Sequence, residues 1–255
     1  AAIGAAAAVA LIRRFPSGWW LPASAVVVAF GAATLYAGPI VLDPLFNKFE
    51  DLPAGRTRED VLELARKAGV DVGDVLVMDA SRRTTAANAY VTGLGHTKRV
   101  VLYDTLLEGF SRDEVRLVVA HELGHVHHRD VPRGLLYLLL VAPAGMLAAR
   151  TILRRLDPPP GAGTVPALAA SVLLAAVPIT IVSNGLSRRI EARADTYSLQ
   201  LTDAPEPFIG FERRIAVRNV SDPDPPWIRT FLLGTHPPTI DRIGAGVAWE
   251  QGRRP

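Results

Sequence analysis

The chain has 255 residues, 49% of them hydrophobic, with 28 Lys or Arg, 25 Asp or Glu and no Cys. The apolar share and a mean hydropathy of +0.21 exclude a disordered chain, and the lack of Cys excludes a disulfide scaffold, a thiolate metal site and a Cys nucleophile. A net charge of +3 without any Lys/Arg run gives no footprint for a nucleic acid, so none is expected as a partner.

The apolar residues are gathered into stretches. Residues 1–12 carry no charge and stop at Arg13-Arg14; they read as the end of a truncated transmembrane helix. Position 1 is not Met and no basic region precedes the apolar run, which fits a chain that starts within a longer protein better than a signal peptide. Trp19-Trp20 suits a membrane interface. Residues 20–42, 134–153 (with Arg150 inside) and 163–187 read as three transmembrane helices, because a bilayer core of ~30 Å needs about 20 apolar residues. A Pro/Gly turn at 157–163 joins the last two. The polar blocks 43–133 and 188–255 are separated by two crossings, so they lie on the same side of the bilayer and read as two halves of one domain.

Within the first block, Thr57 reads as the N-cap of an amphipathic helix through Val61, Leu62, Leu64, Ala65 and Ala68 to Gly69. Residues 74–80, 87–92 and 99–103 read as short strands, with Gly93-Leu94-Gly95 as the turn between the last two. Ser111 with Glu114 is a capping-box start. Val115, Val118, Val119 and Leu123 follow as a helical stripe running to about Asp130. Residues 222–226 form a Pro-rich break.

His121-Glu122-Leu123-Gly124-His125 lies on that last helix. Histidines four apart share a face one turn apart, which lets two imidazoles grip one tetrahedral Zn²⁺. Glu122 beside them can take a proton from water on the metal. His128, three residues past His125, and His127 allow other pairings, but these supply no base. A catalytic zinc wants a third protein ligand and an open position. In the second block Glu191 and Asp195 share a helix face; Glu191 can complete the zinc sphere, and Asp195 can accept the free N–H of a ligand imidazole. In Gly234–Arg242, His236 can donate to the oxyanion of a tetrahedral intermediate and Arg242 can orient a carboxylate. The bland readings are a surface helix of Glu/Arg pairs for the first and a His in a Pro-fixed turn for the second.

With these residues in hand, the chain resembles the integral-membrane zinc metallopeptidases of the CAAX prenyl protease 1 type (gluzincins), related to the bacterial heat-shock membrane protease. The resemblance runs through Pro44-Leu45-Phe46-Asn47-Lys48-Phe49, Asn88-Ala89-Tyr90-Val91-Thr92-Gly93-Leu94, Lys98–Leu107, His121–His125, Glu191–Asp195 and His236–Arg242, in order, over about residues 40–245. It implies a mainly α membrane protein, with a zincin-like α+β catalytic domain that has a small β-sheet and is interrupted by a transmembrane helical hairpin. It implies one Zn²⁺ per chain on His121, His125 and Glu191, with Glu122 as general base. Asn88 would hold the substrate backbone, and His236 and Arg242 would stand in the transition-state and substrate shell. The 87–92 strand also has a physical claim to the substrate, since an extended peptide can add to a free strand edge. Enzymes of the full eukaryotic type have more spans than the three read here, so CAAX processing and membrane-protein quality control both stay open as the substrate class.

The Ala/Arg/Pro-rich composition points to a bacterial cell membrane. Eight basic residues near the span ends on the domain side (Lys48, Arg56, Arg58, Arg129, Arg133, Arg188, Arg189, Arg193) against five on the other (Arg13, Arg14, Arg150, Arg154, Arg155) place the catalytic domain in the cytoplasm. Asn219-Val220-Ser221 matches a glycosylation acceptor, which a cytoplasmic domain leaves without meaning. The expected partners are the lipid bilayer and a peptide or membrane-protein substrate; nothing in the sequence fixes an oligomeric state. The rival readings are a membrane metal-binding or sensor protein without proteolysis, and a structural scaffold.

Overall fold

A computed structural model describes residues 2–93, 95–159, 161 and 163–252. Leu94 of the expected 93–95 turn, residues 160 and 162 of the expected 157–163 turn, Ala1, and 253–255 at the end of the expected second block lie outside them. The chain divides into two compact units, Ala1–Leu35 with Pro132–Ser183, and Tyr36–Val131 with Asn184–Pro255.

The first unit is helical. It holds α1 (Ala2–Arg14), most of α2 (Trp20–Ala37), and the apolar parts of α7 (Asp130–Leu156) and α8 (Thr164–Thr202). α1 has 13 residues, short of a bilayer crossing, whereas among the described residues three helices are long and apolar enough to span: Trp20–Phe46, Asp130–Leu156 and Thr164–Thr202. Small residues set the packing. A Cβ on Gly31 would lie 2.5 Å from Leu138 Cδ2, and one on Gly145 would lie 2.9 Å from Ile179 Cδ1, so α2 meets α7, and α7 meets α8, through glycine gaps. Trp19 is 5% exposed and packs with Ala149, Leu153 and Ala175. It therefore does not present its ring to a membrane interface as the Trp19-Trp20 pair suggested: the alanines opposite leave a hole that the indole fills. Leu21, Phe30, Leu140, Leu173 and Leu174 face outward, the surface a lipid-solvated bundle presents.

The second unit is α+β. A four-stranded sheet has the order β1 (Phe49–Asp51), β2 (Asp74–Met78), β4 (Arg99–Tyr103), β3 (Ala89–Thr92); only the β2/β4 pair is parallel. β3 ends the sheet. Its register on β4 (Ala89 opposite Leu102, Thr92 opposite Arg99) leaves the other side of its backbone unpaired among the described residues. Against the sheet, α4 (Arg56–Lys67), α5 (Asp104–Gly109) and α6 (Arg112–His127) bury Val61, Leu64, Val75, Val100, Leu102, Leu106, Val119 and Leu123. Val75, Val100, Leu102 and Leu123 are fully buried; each such side chain contributes ~1.5–3 kcal/mol. α9 (Pro205–Arg218), α10 (Trp227–Leu233) and α11 (Thr239–Glu250) complete the unit.

Several boundaries differ from the sequence reading for identifiable reasons. α4 starts at Arg56, so Thr57 is inside it and Gly55 holds the N-cap position without a side-chain cap. The Ser111/Glu114 capping box forms: Ser111 N donates to Glu114 Oε2 at 2.7 Å, and Glu114 N donates back to Ser111 Oγ at 3.4 Å. α6 stops at His127 because Arg129 takes a left-handed φ of 55°, and Asp130 opens α7 instead of closing α6. The first span continues through a π turn, Gly38–Leu42, into α3 (Asp43–Phe46). Pro39 has no N–H, and the chain widens there so that Asp43 N donates to Gly38 O. α8 runs unbroken for 39 residues, carrying Glu191 and Asp195 on the same helix as the apolar stretch. The change at Arg188 from apolar to charged is a change of surroundings, and the helix runs through it and through Gly185 just before it.

Candidate active site

All of the site residues belong to the second unit, and they line one cleft of about 800 Å³. α6 supplies His121, Glu122 and His125; α8 supplies Glu191 and Asp195; the segment before α11 supplies His236, and α11 supplies Arg242. Gly124 makes the approach of α6 to α8 possible: a Cβ there would lie 3.2 Å from Tyr197 Cδ1 and 3.4 Å from Ala194 Cα.

His121 Nε2 lies 3.1 Å from His125 Nε2 and 3.3 Å from Glu191 Oε2, and His125 Nε2 lies 3.8 Å from Glu191 Oε1. One ligand atom from each of the three falls within 4.8 Å of the others. The opposite ring nitrogens are held by carboxylates: His121 Nδ1 is 2.9 Å from Asp195 Oδ1, and His125 Nδ1 is 3.0 Å from Asp130 Oδ2. With Nδ1–H donated to these carboxylates, both Nε2 atoms face each other and Glu191, and each offers a lone pair there once it carries no proton. Two converging lone pairs and a carboxylate are the chemistry of a divalent-cation site.

The carboxylates behind the histidines are themselves anchored. Arg242 grips Asp195 with two hydrogen bonds, Nε to Oδ2 at 2.7 Å and Nη2 to Oδ1 at 2.6 Å, and its Nη1 lies 2.9 Å from Glu212 Oε2. All three guanidinium nitrogens therefore meet carboxylates of the chain itself, and the carboxylate that Arg242 orients here is Asp195. Arg193 pairs with Asp130 behind His125. Burial would lower the His121 pKa, but hydrogen bonds to Asp195 and Glu191 raise it to about 10. Burial raises the Glu122 carboxyl above its usual range, and the neighbouring His121 and His125 only partly offset this. Burial also pushes Glu212 up to about 7 despite Arg242 beside it.

His236 has an exposed side chain, with Nε2 3.5 Å from Glu191 Oε2 and Nδ1 3.0 Å from Thr235 Oγ1. Asn88 sits one residue before β3 and lines the cleft. Its side-chain Oδ1 accepts from Ala89 N at 2.9 Å, and its main-chain O accepts from Tyr103 N at 3.0 Å. His127 and His128 lean on Tyr197, away from the His121–His125–Glu191 group. Sequence reasoning missed Asp130, Arg193 and Glu212. Asp130 carries a local signal, five residues past His125 at the start of the next helix; Glu212 carries none.

A family model for peptidase family M48 matches residues 51–250, and the chain belongs to that family. It is 35% identical over 243 residues to "Uncharacterized metalloprotease YhfN" of Bacillus subtilis (strain 168), covering 91% of this chain and 57% of that protein. It is 31% identical over 225 residues to "CAAX prenyl protease 1 homolog" of Oryza sativa subsp. japonica, covering 83% and 51%. The chain thus spans little more than half the length of these curated relatives. Among solved structures, the crystal structure of S. mikatae Ste24p aligns with a TM-score of 0.80 at 23% identity, over 94% of this chain and 61% of that one, a likeness of fold.

Proposed function

We propose that the chain is the catalytic part of a zinc-dependent membrane endopeptidase that cleaves peptide bonds of membrane-associated proteins or peptides. The observation that carries this reading is the convergence of His121 Nε2, His125 Nε2 and Glu191 on one point, with Glu122 on the same cleft wall. Two imidazoles and one carboxylate are the donor set of a catalytic zinc site with a position left open. Zinc held there supplies a Lewis acid, which acidifies water and polarises a scissile carbonyl.

The remaining work belongs to the chain. Glu122 takes the proton of the attacking water and delivers it to the leaving amine; its raised pKa brings it closer to the operating range that such a shuttle needs. His236, exposed at the cleft and close to Glu191, donates to the oxyanion. Arg242 and Asp195 fix the ring of His121, and Asp130 fixes that of His125. The substrate is held extended along the free edge of β3, with Asn88 at the strand's entry orienting its backbone. The excess of basic residues at the domain-side span ends supports a cytoplasmic catalytic domain, and the composition supports a bacterial membrane. The name of the Oryza sativa relative supports CAAX-type processing; membrane-protein quality control is the other substrate class open to this site.

Chelation and add-back test this reading. The purified protein in detergent, stripped by a chelator, loses cleavage of a quenched fluorescent peptide library and regains it with about one equivalent of Zn²⁺ per chain. A protein that binds zinc tightly yet cleaves nothing in the library in any metal state is a binding or sensor protein, and the proposal fails.

A further inference from the structure

α10 has no buried residue: Trp227 is 75% exposed and Leu233 71%, with Ile228 and Phe231 also open. Trp227 and Phe231 lie one turn apart with ring centroids 6.3 Å apart, so they form one continuous aromatic surface. In water such a surface on a seven-residue helix is unfavourable, and its place along the chain's longest helix says what covers it. The Asn184 side chain donates to Leu232 O at 2.8 Å, and Arg188 Nη1 donates to Thr230 O at 2.8 Å and to Gly234 O. Both anchors belong to α8, four residues or about 6 Å apart along its axis. They bracket the point where its uncharged stretch, residues 158–187, gives way to Arg188-Arg189. α10 is therefore tied to the level of α8 at which a spanning helix leaves the hydrocarbon core for the headgroups. Trp is the residue enriched at that level. Arg189 on α8 is exposed there, a charge that suits the headgroup level, and Arg229 on α10 pairs with Asp222.

We infer that α10 is an interfacial anchor: Trp227, Ile228, Phe231 and Leu233 insert into the headgroup–acyl boundary of the bilayer. Leu233, Thr230 and Arg229 also line the cleft that holds His121, His125 and Glu191. The rim of the cleft therefore lies at the lipid surface, and a substrate reaches the site from the plane of the membrane.

Depth-dependent quenching tests this without reference to catalysis. The full chain and its Trp227→Phe variant are reconstituted in phosphatidylcholine/phosphatidylglycerol vesicles, with or without bromines on the acyl carbons nearest the headgroups. The emission of Trp227 is the difference between the two proteins, which removes Trp19, Trp20 and Trp249. The expected result is loss of the Trp227 component in brominated vesicles, with little loss to aqueous iodide. The double variant Trp227→Phe/Phe231→Trp, which moves the indole one turn along α10, gives the same pattern. A component quenched by iodide and untouched by bromolipid overturns the inference, and so does a component reached by neither, which means that protein covers the patch.

Discussion

His121 and His125 each have one nitrogen taken by a carboxylate and the other turned toward Glu191, and the carboxylates behind them do the aiming. Asp195, clamped by Arg242, sets the ring of His121; Asp130, paired with Arg193, sets that of His125. Replacing Asp195 or Asp130 by Ala frees the ring to rotate, and zinc affinity is expected to fall about 10–100-fold in a chelator competition; unchanged affinity in both variants would mean that the rings are held by packing alone. The same contacts set a pH dependence. Without metal His121 holds its proton up to about pH 10, whereas a ligand imidazole must be neutral. Metal binding therefore expels a proton, and apparent affinity should fall as pH falls, by about tenfold per unit below that pKa. Chelator competition at three pH values measures the slope, and a flat or opposite slope contradicts the ionic pairing described here. Part of this was legible in the sequence. His121, Glu122 and His125 declare themselves by spacing within one helix, and Glu191 and Asp195 by theirs. Glu212 and Arg193 do not, because their partners lie far away in the chain and only packing brings them together.

At the scale of elements, the site depends on how closely α6 and α8 approach. Gly124 is the contact point, with Ala194 and Tyr197 opposite. A Val there cannot be accommodated without separating the helices, so Gly124→Val is expected to cost about 1–3 kcal/mol of stability. The same change should weaken zinc binding while leaving the helical circular dichroism in place. Retention of wild-type zinc affinity by a folded Gly124→Val protein would show that the two helices can give way without disturbing the ligands. The N-terminus of α6 offers a smaller test: Ser111→Ala removes one arm of the capping box and is expected to cost about 1 kcal/mol in thermal or denaturant unfolding. The box could be read from Ser111 and Glu114 three residues apart. The continuity of α8 could not be read, because the switch from apolar to charged at Arg188 resembles an element boundary although the backbone has no reason to break. The interior position of Trp19 was equally hidden: the hole it fills is made by Ala149 and Ala175, more than a hundred residues away in the chain.

For the molecule as a whole, one long apolar helix carries part of the site: α8 joins a candidate span to Glu191 and Asp195 without a linker. The chain is therefore expected to resist alkaline carbonate extraction from membranes, and a reporter fused after residue 255 should read as cytoplasmic. An extracytoplasmic signal would reverse the sidedness argued from the basic residues. The number and order of the long apolar helices were plain from composition, since nothing but length and hydropathy is needed to find them. Their ends were not, because polar residues such as Asp130 and Arg188 continue the helices into the second unit's sequence. The central claim is that a metal site and Glu122 together hydrolyse peptides. Its most direct test is the Glu122→Gln protein, assayed in one preparation for bound zinc and for peptide cleavage. The expected result is wild-type zinc content with cleavage reduced about 10²- to 10⁴-fold; near-wild-type turnover in the zinc-loaded variant would contradict it.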